Sequence, residues 1–421
     1  MEAHGDGEDF DPVVIVSSDT HIGPLLETQL RPYCPSAYLE DFDQFVQRHK
    51  SYRGPFNDLD ARNQLSEGNH DFDARTRDLD YDGVSAEIIF HGSQNNQPIP
   101  FRSGGSFGNQ QGQDLRLAAV GNHIYNAWLA DFVDKDPDRH IGLAHLPFWD
   151  IEAAVKELEW ARGAGLRGVN FPALQPGILE YNDPAWEPFW SVCEAFDMPL
   201  TTHSASSSPG SRYAGPELAM IVSLESGGWY ARRALHWMVL SGVFERHPKL
   251  KLVLTEQPGD WWPHAMNELD SVYMMKSKTT AEVHRRVPRM PSEYCRSNVF
   301  IGASFLSPAE ARAACRDGYA GNVLWGSDYP HVEGTYLYPF DWQDESMTRL
   351  ALRFTFAGVP HNQVRAMAGE NAARVYGLDL DKLRKTAARI GAPTFAELDR
   401  PVETIPEHAG ILAFREIGPW S

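Results

Sequence analysis

Cysteine is scarce: four residues in a chain of 421, at Cys34, Cys193, Cys295 and Cys315, with no CxxC pair among them. That excludes a disulfide framework and points to a reducing compartment, the cytoplasm. Long apolar runs are missing as well. No stretch approaches the roughly 18 consecutive apolar residues of a membrane span, so no membrane partner is expected. Positive charge is in short supply, with 38 Lys+Arg against 57 Asp+Glu and a formal net charge of −19. A phosphate backbone needs a basic surface, so nucleic acid is excluded as the main partner. Residues Met1–Asp11 are acidic and polar and lack the basic and apolar regions of a secretory leader. No repeat recurs at solenoid spacing.

What is present is globular composition, 42% apolar and 11% aromatic, arranged as short β-branched runs alternating with helical patterns. The runs are Val13–Ser18, Ala86–Phe90, Ile141–Leu146, Gly168–Phe171, Leu200–His203, Leu250–Glu256, Val299–Ala303 and Val323–Gly326. Helical spacing fills Ile151–Arg162, Trp186–Ala195 and Trp261–Tyr273. Alternation of this kind is the signature of a parallel sheet, and eight strands favour an α/β fold closed as a (β/α)8 TIM barrel. The expected barrel occupies residues 1–378, with long insertions at 23–82, 93–113 and 204–228 that read as lids. Residues 379–421 read as a C-terminal extension packed on the barrel or on a partner subunit.

Active sites of such barrels lie where the strands end. The first strand runs into Asp19 and His21, at i and i+2 on one face of an extended chain. The fifth ends at His203, the sixth at Glu256 and the eighth at Asp328. Two imidazoles and three carboxylates at four strand ends form a set suited to Zn²⁺, and also to Mn²⁺ or Fe²⁺. Aromatic residues after strands, Trp149, Phe171, Trp261, Trp262 and Tyr329, are expected to wall a substrate pocket. His331 and His145 are placed to orient substrate, or in the case of His331 to brace the Asp328 loop.

Five motifs carry a family resemblance: Phe72-Asp-Ala-Arg-Thr-Arg-Asp-Leu-Asp before Asp82-Gly-Val-Ser-Ala-Glu; Tyr125-Asn-Ala-Trp-Leu before Asp136-Pro-Asp-Arg; Phe244-Glu-Arg-His-Pro-Lys-Leu-Lys-Leu-Val; Trp325-Gly-Ser-Asp-Tyr-Pro-His; and Gly369-Glu-Asn-Ala-Ala-Arg-Val-Tyr-Gly. In their order and spacing the chain resembles the amidohydrolase superfamily, in the branch that includes aminocarboxymuconate semialdehyde decarboxylase. The resemblance implies a distorted barrel and a divalent metal held by Asp19, His21, His203 and Asp328, and it implies a homo-oligomer. Two departures matter. The usual first-strand His-x-His is here Asp19-x-His21, and the usual sixth-strand His is here Glu256. The fourth strand offers Asn170 but no lysine to bridge two ions, so a single ion is expected, Zn²⁺ ahead of Mn²⁺ or Fe²⁺.

Asp328 and Glu256 are the expected catalytic groups. The loss of the sixth-strand His tilts the expectation towards hydrolysis of a small carbonyl substrate by metal-activated water. Non-oxidative decarboxylation is the alternative, using the same ligands. A barrel that has lost catalysis and only binds is a third reading, which the intact ligand positions oppose.

Overall fold

Eight short strands pair edge to edge in sequence order, every pair parallel. In the computed structural model, which describes residues 10–50, 62–102, 114–204, 225, 228, 230–257, 261–407, 409 and 412–415, they are β1 (Val16–Ile22), β2 (Ala86–His91), β3 (His140–Ala144), β4 (Gly168–Asn170), β5 (Leu200–His203), β6 (Leu252–Thr255), β7 (Val299–Ser304) and β8 (Val323–Gly326). The ring closes where β8 meets β1: Asp328 N–H donates to the Asp19 carbonyl at 2.9 Å, and His21 N–H to the Tyr329 carbonyl at 2.6 Å. This is the TIM-barrel α/β fold expected from the alternation.

Helices form the crossovers. Between β1 and β2 lie α1 (Leu39–Lys50) and α2 (Phe72–Asp82), followed in successive connections by α3 (Leu115–Val133), α4 (Ile151–Gly163), α5 (Glu187–Ala195) and α6 (Arg233–Leu240). The β6–β7 connection holds α7 (Trp261–Tyr273) and α8 (Pro291–Asn298), and the β7–β8 connection α9 (Pro308–Arg316). After β8 come α10 (Met347–Phe356), α11 (Asn371–Tyr376) and α12 (Leu380–Ile390). Part of the acidic excess is spent on helix starts. Asp71, Asp114, Asp150 and Asp379 each accept backbone N–H groups in the first turn of the next helix, a cap worth about 1 kcal/mol.

Strand residues are buried on both faces, as parallel sheets covered by helices require. Inside the ring, Val14, Val16, Ile88, Phe90, Leu143, Val253 and Leu324 form one cluster. Ala372, Val375, Tyr376, Leu383 and Ala387 of α11 and α12 pack into the same cluster, and Tyr376 Oη lies 3.1 Å from Thr201 Oγ1. These two helices therefore plug the floor of the barrel, opposite the strand ends.

Two local differences from the sequence expectation have physical causes. The first strand begins at Val16 and continues to Ile22, because Thr20, His21 and Ile22 go on pairing with β2. Its polar Ser-Ser-Asp-Thr-His run resembles a loop, yet all five residues are buried under neighbouring strands. The insertion at 23–82 is not one polar loop: it contains α1, whose Phe42 and Val46 face the core, and α2. Of the other two expected lids, residues 103–113, 205–224, 226 and 227 lie outside the described residues. All four cysteines are free thiols, and among the described residues no helix is long and apolar enough to cross a membrane.

Candidate metal centre and active site

Four side chains converge at the mouth of the barrel. β1 shifts register between Ser17 and Thr20, a bulge that re-aims the residues after it and sends Asp19 and His21 inward. His21 Nε2 lies 3.2 Å from Asp19 Oδ1 and 3.1 Å from Asp328 Oδ1, and His203 Nε2 lies 3.4 Å from Asp19 Oδ1. One donor atom from each of Asp19, His21, His203 and Asp328 falls within 4.8 Å of all the others. The close approach of β8 to β1 needs Gly326, since a Cβ there would sit 2.9 Å from Asp19 Cβ.

The orientation of each ligand is set by a neighbour. His21 Nδ1 faces the His91 carbonyl at 3.3 Å and His203 Nδ1 the Ser204 carbonyl at 2.8 Å. Each ring so held turns its Nε2 to the centre, the arrangement metal-binding histidines use. Ser304 Oγ, from the end of β7, donates to Asp19 Oδ2 at 2.5 Å. What remains is a knot of polar atoms with nothing to satisfy them. Among the described residues Asp19 Oδ1, His21 Nε2 and both Asp328 carboxylate oxygens are buried without a hydrogen-bond partner. Buried carboxylates facing imidazoles without proper hydrogen bonds are costly unless a cation completes them.

The electrostatics match. Burial raises the Asp19 carboxyl, but His203 and His21 outweigh it and hold Asp19 well below the usual carboxylate range. Asp328 is likewise lowered, with burial offset by His331 and His21. Burial works against protonated His203, and Asp19 overcomes it, raising the ring to about 9. His331 stacks on His21 with ring centroids 3.9 Å apart; its Nδ1 is 3.0 Å from Asp328 Oδ1 and its Nε2 2.7 Å from the Gly92 carbonyl. Against burial, Asp328 raises His331 to about 10. Glu256 hydrogen-bonds Ser204 Oγ and lies 3.5 Å from His203 Nδ1; burial and the charges of Asp328 and Asp19 push its carboxyl well above the usual range, although His203 pulls it down. Both Glu256 and Asp328 adopt left-handed backbone, each with φ of 55°, a strained conformation for such residues that recurs at functional sites.

Of the other expected site residues, His331 stands directly beside the ligand set. Trp261 opens α7 with Nε1–H donating to the Gln257 carbonyl, and the Arg232 guanidinium lies 4.3 Å over its ring. Phe171 is fully buried between β4 and α5, with Tyr181, Phe148 and Phe189 centroids 4.6, 5.5 and 6.3 Å away. It belongs to the outer aromatic layer, because it extends β4 by one residue and so points away from Asn170. Trp149, half-buried, lies in the turn before α4. Two supports escaped sequence reading. Ser304 carried the same signal as the ligands, a polar residue ending an apolar strand. The buried Arg75, which donates to the His21 carbonyl and to Glu87, carried none, since its partners come from three separate segments.

The family model described as Amidohydrolase matches residues 96–378. The chain belongs to the amidohydrolase family. His203, Glu256 and Asp328 fall inside the matched span, and Asp19 and His21 precede it. Gamma-resorcylate decarboxylase of Rhizobium sp. (strain MTP-10005) is 28% identical over 278 residues, 61% of this chain and 76% of that protein. The Polaromonas sp. (strain JS666) enzyme of the same name is 29% identical over 215 residues, and the match spans 49% of this chain and 64% of that relative's length. Among solved structures, 5-carboxyvanillate decarboxylase from Novosphingobium aromaticivorans, with bound manganese and 3-methoxy-4-hydroxy-5-nitrobenzoic acid, aligns with a TM-score of 0.60. Its sequence is 17% identical, and the alignment covers 90% of this chain and all of that one; this likeness bears on the fold.

Proposed function

We propose that the protein is a metal-dependent, non-oxidative decarboxylase of a small aromatic acid. The observation that carries this reading is the buried Asp19–His21–His203–Asp328 quartet, found in a chain whose matched curated relatives are decarboxylases. Those names favour carbon–carbon cleavage over the hydrolysis that Glu256 suggests from sequence.

The donor set fits a divalent cation: two carboxylates balance its charge, and their unpaired oxygens face the two Nε2 atoms. Manganese, bound in the solved relative, suits a mixed imidazole and carboxylate set as well as zinc does. When bound, the ion supplies a Lewis acid that polarises the oxygens of the substrate. The remaining work belongs to the chain. His21 and His203 are held by backbone carbonyls, and Asp19 by Ser304, so the centre is preorganised. His331, paired with Asp328, places a positive charge beside the quartet. Cleavage of the ring–carboxylate bond leaves its electron pair on the ring carbon, which must take up a proton as CO₂ departs. Glu256, at the mouth and hydrogen-bonded to Ser204, is the acid placed to deliver that proton from Oε and recover it from water. Trp261 and Trp149 supply aromatic walls.

Hydrolysis stands as a second reading on one observation, the acidic residue at the end of β6. Both are tested by incubating the Mn²⁺-loaded protein with 2,6-dihydroxybenzoate, related hydroxybenzoates and their methyl esters and anilides in D₂O and in H₂¹⁸O. Decarboxylation yields CO₂ and one deuteron on the vacated carbon, with no ¹⁸O in the organic product. Incorporation of ¹⁸O into an organic product without CO₂ would establish the hydrolase instead.

A further inference from the structure

A second group of ligand-type side chains stands beside the quartet, all of it on the loop that follows β8. Asp328, His331 and Glu333 each offer one donor atom, and the three atoms lie within 4.8 Å of one another. His331 Nδ1 is 3.0 Å from Asp328 Oδ1 and 3.8 Å from Glu333 Oε1. Asp328 is common to both groups, and its carboxylate has two oxygens to divide between them.

His331 is oriented as the mirror image of the other two imidazoles. His21 and His203 turn Nδ1 to a backbone carbonyl and Nε2 to the centre. In His331 it is Nε2 that meets a carbonyl, that of Gly92 at 2.7 Å, so Nε2 carries the hydrogen and Nδ1 faces the carboxylates. The Nδ1 contact with Asp328 is short, yet neither Asp328 oxygen has an aligned hydrogen bond. Two ligands of one ion stand in that relation, close together with their lone pairs aimed at a third point.

The other donors are held as firmly. Gln94 Nε2 lies 3.0 and 2.9 Å from the two Glu333 oxygens, and Gln94 Oε1 accepts the Val332 N–H at 3.2 Å. The loop itself is tightly closed. His331 N–H donates to the Asp328 carbonyl at 2.8 Å, Gly334 N–H to the His331 carbonyl at 3.1 Å and Thr335 N–H to the Ser327 carbonyl at 2.8 Å. A Cβ on Gly334 would lie 2.6 Å from the Ser327 carbonyl oxygen. Asn63, from the insertion after β1, donates to the His331 carbonyl at 3.1 Å. The donor spacing is therefore fixed before any ion arrives. Asp328 is fully buried and the Glu333 side chain is 30% exposed, so the group opens from the sealed centre towards solvent.

Charge gives a separate reason. Asp19, Asp328 and Glu333 bring three negative charges to the mouth, and one divalent ion leaves one of them uncancelled. A proton on His331 brings the sum to zero. A second divalent ion in place of that proton makes the mouth positive, which favours an anionic acid.

We infer that Asp328, His331 and Glu333 form a second divalent-cation site, weaker than the quartet, with Asp328 bridging the two ions. One imidazole and two carboxylates suit Mn²⁺, with water completing the side open to solvent. The site is the weaker one because it has three protein donors, one of them shared and one partly exposed. Its bridge lies on the loop after β8, not on the fourth strand. On binding, the Nδ1 lone pair takes the ion and the proton it held leaves to water. This assignment rests on the metal-dependent reading above, since the quartet supplies Asp328.

The test is metal stoichiometry. The full chain is stripped with a chelator and titrated with Mn²⁺ alone; free Mn²⁺ is read from its EPR signal and bound metal by elemental analysis after dialysis. The wild type is expected to take two Mn²⁺ per chain, the second with a Kd roughly tenfold or more above the first, and to develop a spin-coupled signal as the second site fills. Glu333→Gln should raise the second Kd by roughly tenfold or more and remove the coupled signal, with the first Kd unchanged within about twofold. Glu333→Asp, which keeps a carboxylate, should retain the second ion at reduced affinity. Circular dichroism confirms the fold of each variant. A single Mn²⁺ per wild-type chain, a second ion without spin coupling, or an unchanged second Kd in folded Glu333→Gln would overturn the second site and leave the quartet standing. A wild type that takes no Mn²⁺ would remove both.

Discussion

Ser304 shows how much rests on one hydroxyl. It donates to Asp19 Oδ2 and leaves Oδ1 facing the two imidazoles. Outer partners of this kind typically change metal affinity by about 10–100-fold, so Ser304→Ala should weaken Mn²⁺ binding by that factor with the fold intact, as read by metal titration and circular dichroism. Asp82 is a different case, far from the site. It is buried, with Ser346 and Thr348 hydroxyls donating to its two oxygens at 2.6 and 2.7 Å. Burial dominates and lifts the carboxyl from 3.8 to about 7. The folded state thus keeps a proton that the unfolded chain releases. The associated stability is complete below the unfolded value and disappears as pH rises through about 7, a loss on the order of a few kcal/mol. Asp82→Asn should match the wild type below about pH 4, gain on it as pH rises towards about 7 and hold a constant lead above that in calorimetric melting. A gap that does not widen with pH would exclude this account.

At the scale of elements, α2 is the bolt between the insertion and the barrel. Asp71 caps its first turn, and Gly83 in left-handed conformation ends it. Arg75, on its inner face, uses all five N–H donors: Glu87 Oε1 and Oε2 at 2.7 and 2.6 Å, the His21 and Gly68 carbonyls at 2.8 and 3.1 Å, and Thr20 Oγ1 at 3.0 Å. One turn later Asp78 accepts from Ser66, Tyr329 and Tyr336. The helix therefore braces both β1 beside His21 and the segment beside Asp328. Arg75→Met leaves Glu87 charged and buried, with His140 as its remaining partner among the described residues, and should cost about 3–5 kcal/mol. Adding Glu87→Gln should recover part of that loss in urea unfolding, because the orphaned charge is then gone. The motif beginning at Phe72 was visible in the sequence as a resemblance, but the purpose of its arginine was not. Its five acceptors lie in three stretches that meet only when β1 and β2 pair.

Across the whole molecule, the proposed ion-binding groups come from β1, β5 and the segment just after β8, so a bound cation would tie the first strand to the last at the seam of the barrel. Ligand bound only by the folded state stabilises it by about 2.7 kcal/mol at a hundredfold excess over Kd. Chelation should accordingly lower Tm by a few degrees, Mn²⁺ should restore it, and His21→Ala/Asp328→Ala should show no shift in either direction. The C-terminal segment is anchored in the same body: Arg415 pairs with Glu310 of α9 at 3.0 and 2.5 Å, and Phe414 packs on Phe354 of α10.

The sequence by itself determined the strand ends. Alternating apolar runs that terminate in His203 and Asp328, and the Asp19-x-His21 pair, follow from periodicity and residue type, and they suffice for the barrel and for the proposed ligand set. It also located Glu256, though it set the chemistry by that one residue and leaned to hydrolysis. Only the tertiary structure decided which polar residues share a wall. Asp19 and Asp328 stand more than three hundred positions apart and meet because β8 closes on β1. The cysteine count and the charge balance carried expectations about compartment and partners, whereas the closing of β8 on β1, which only the fold provides, brings the four polar side chains together.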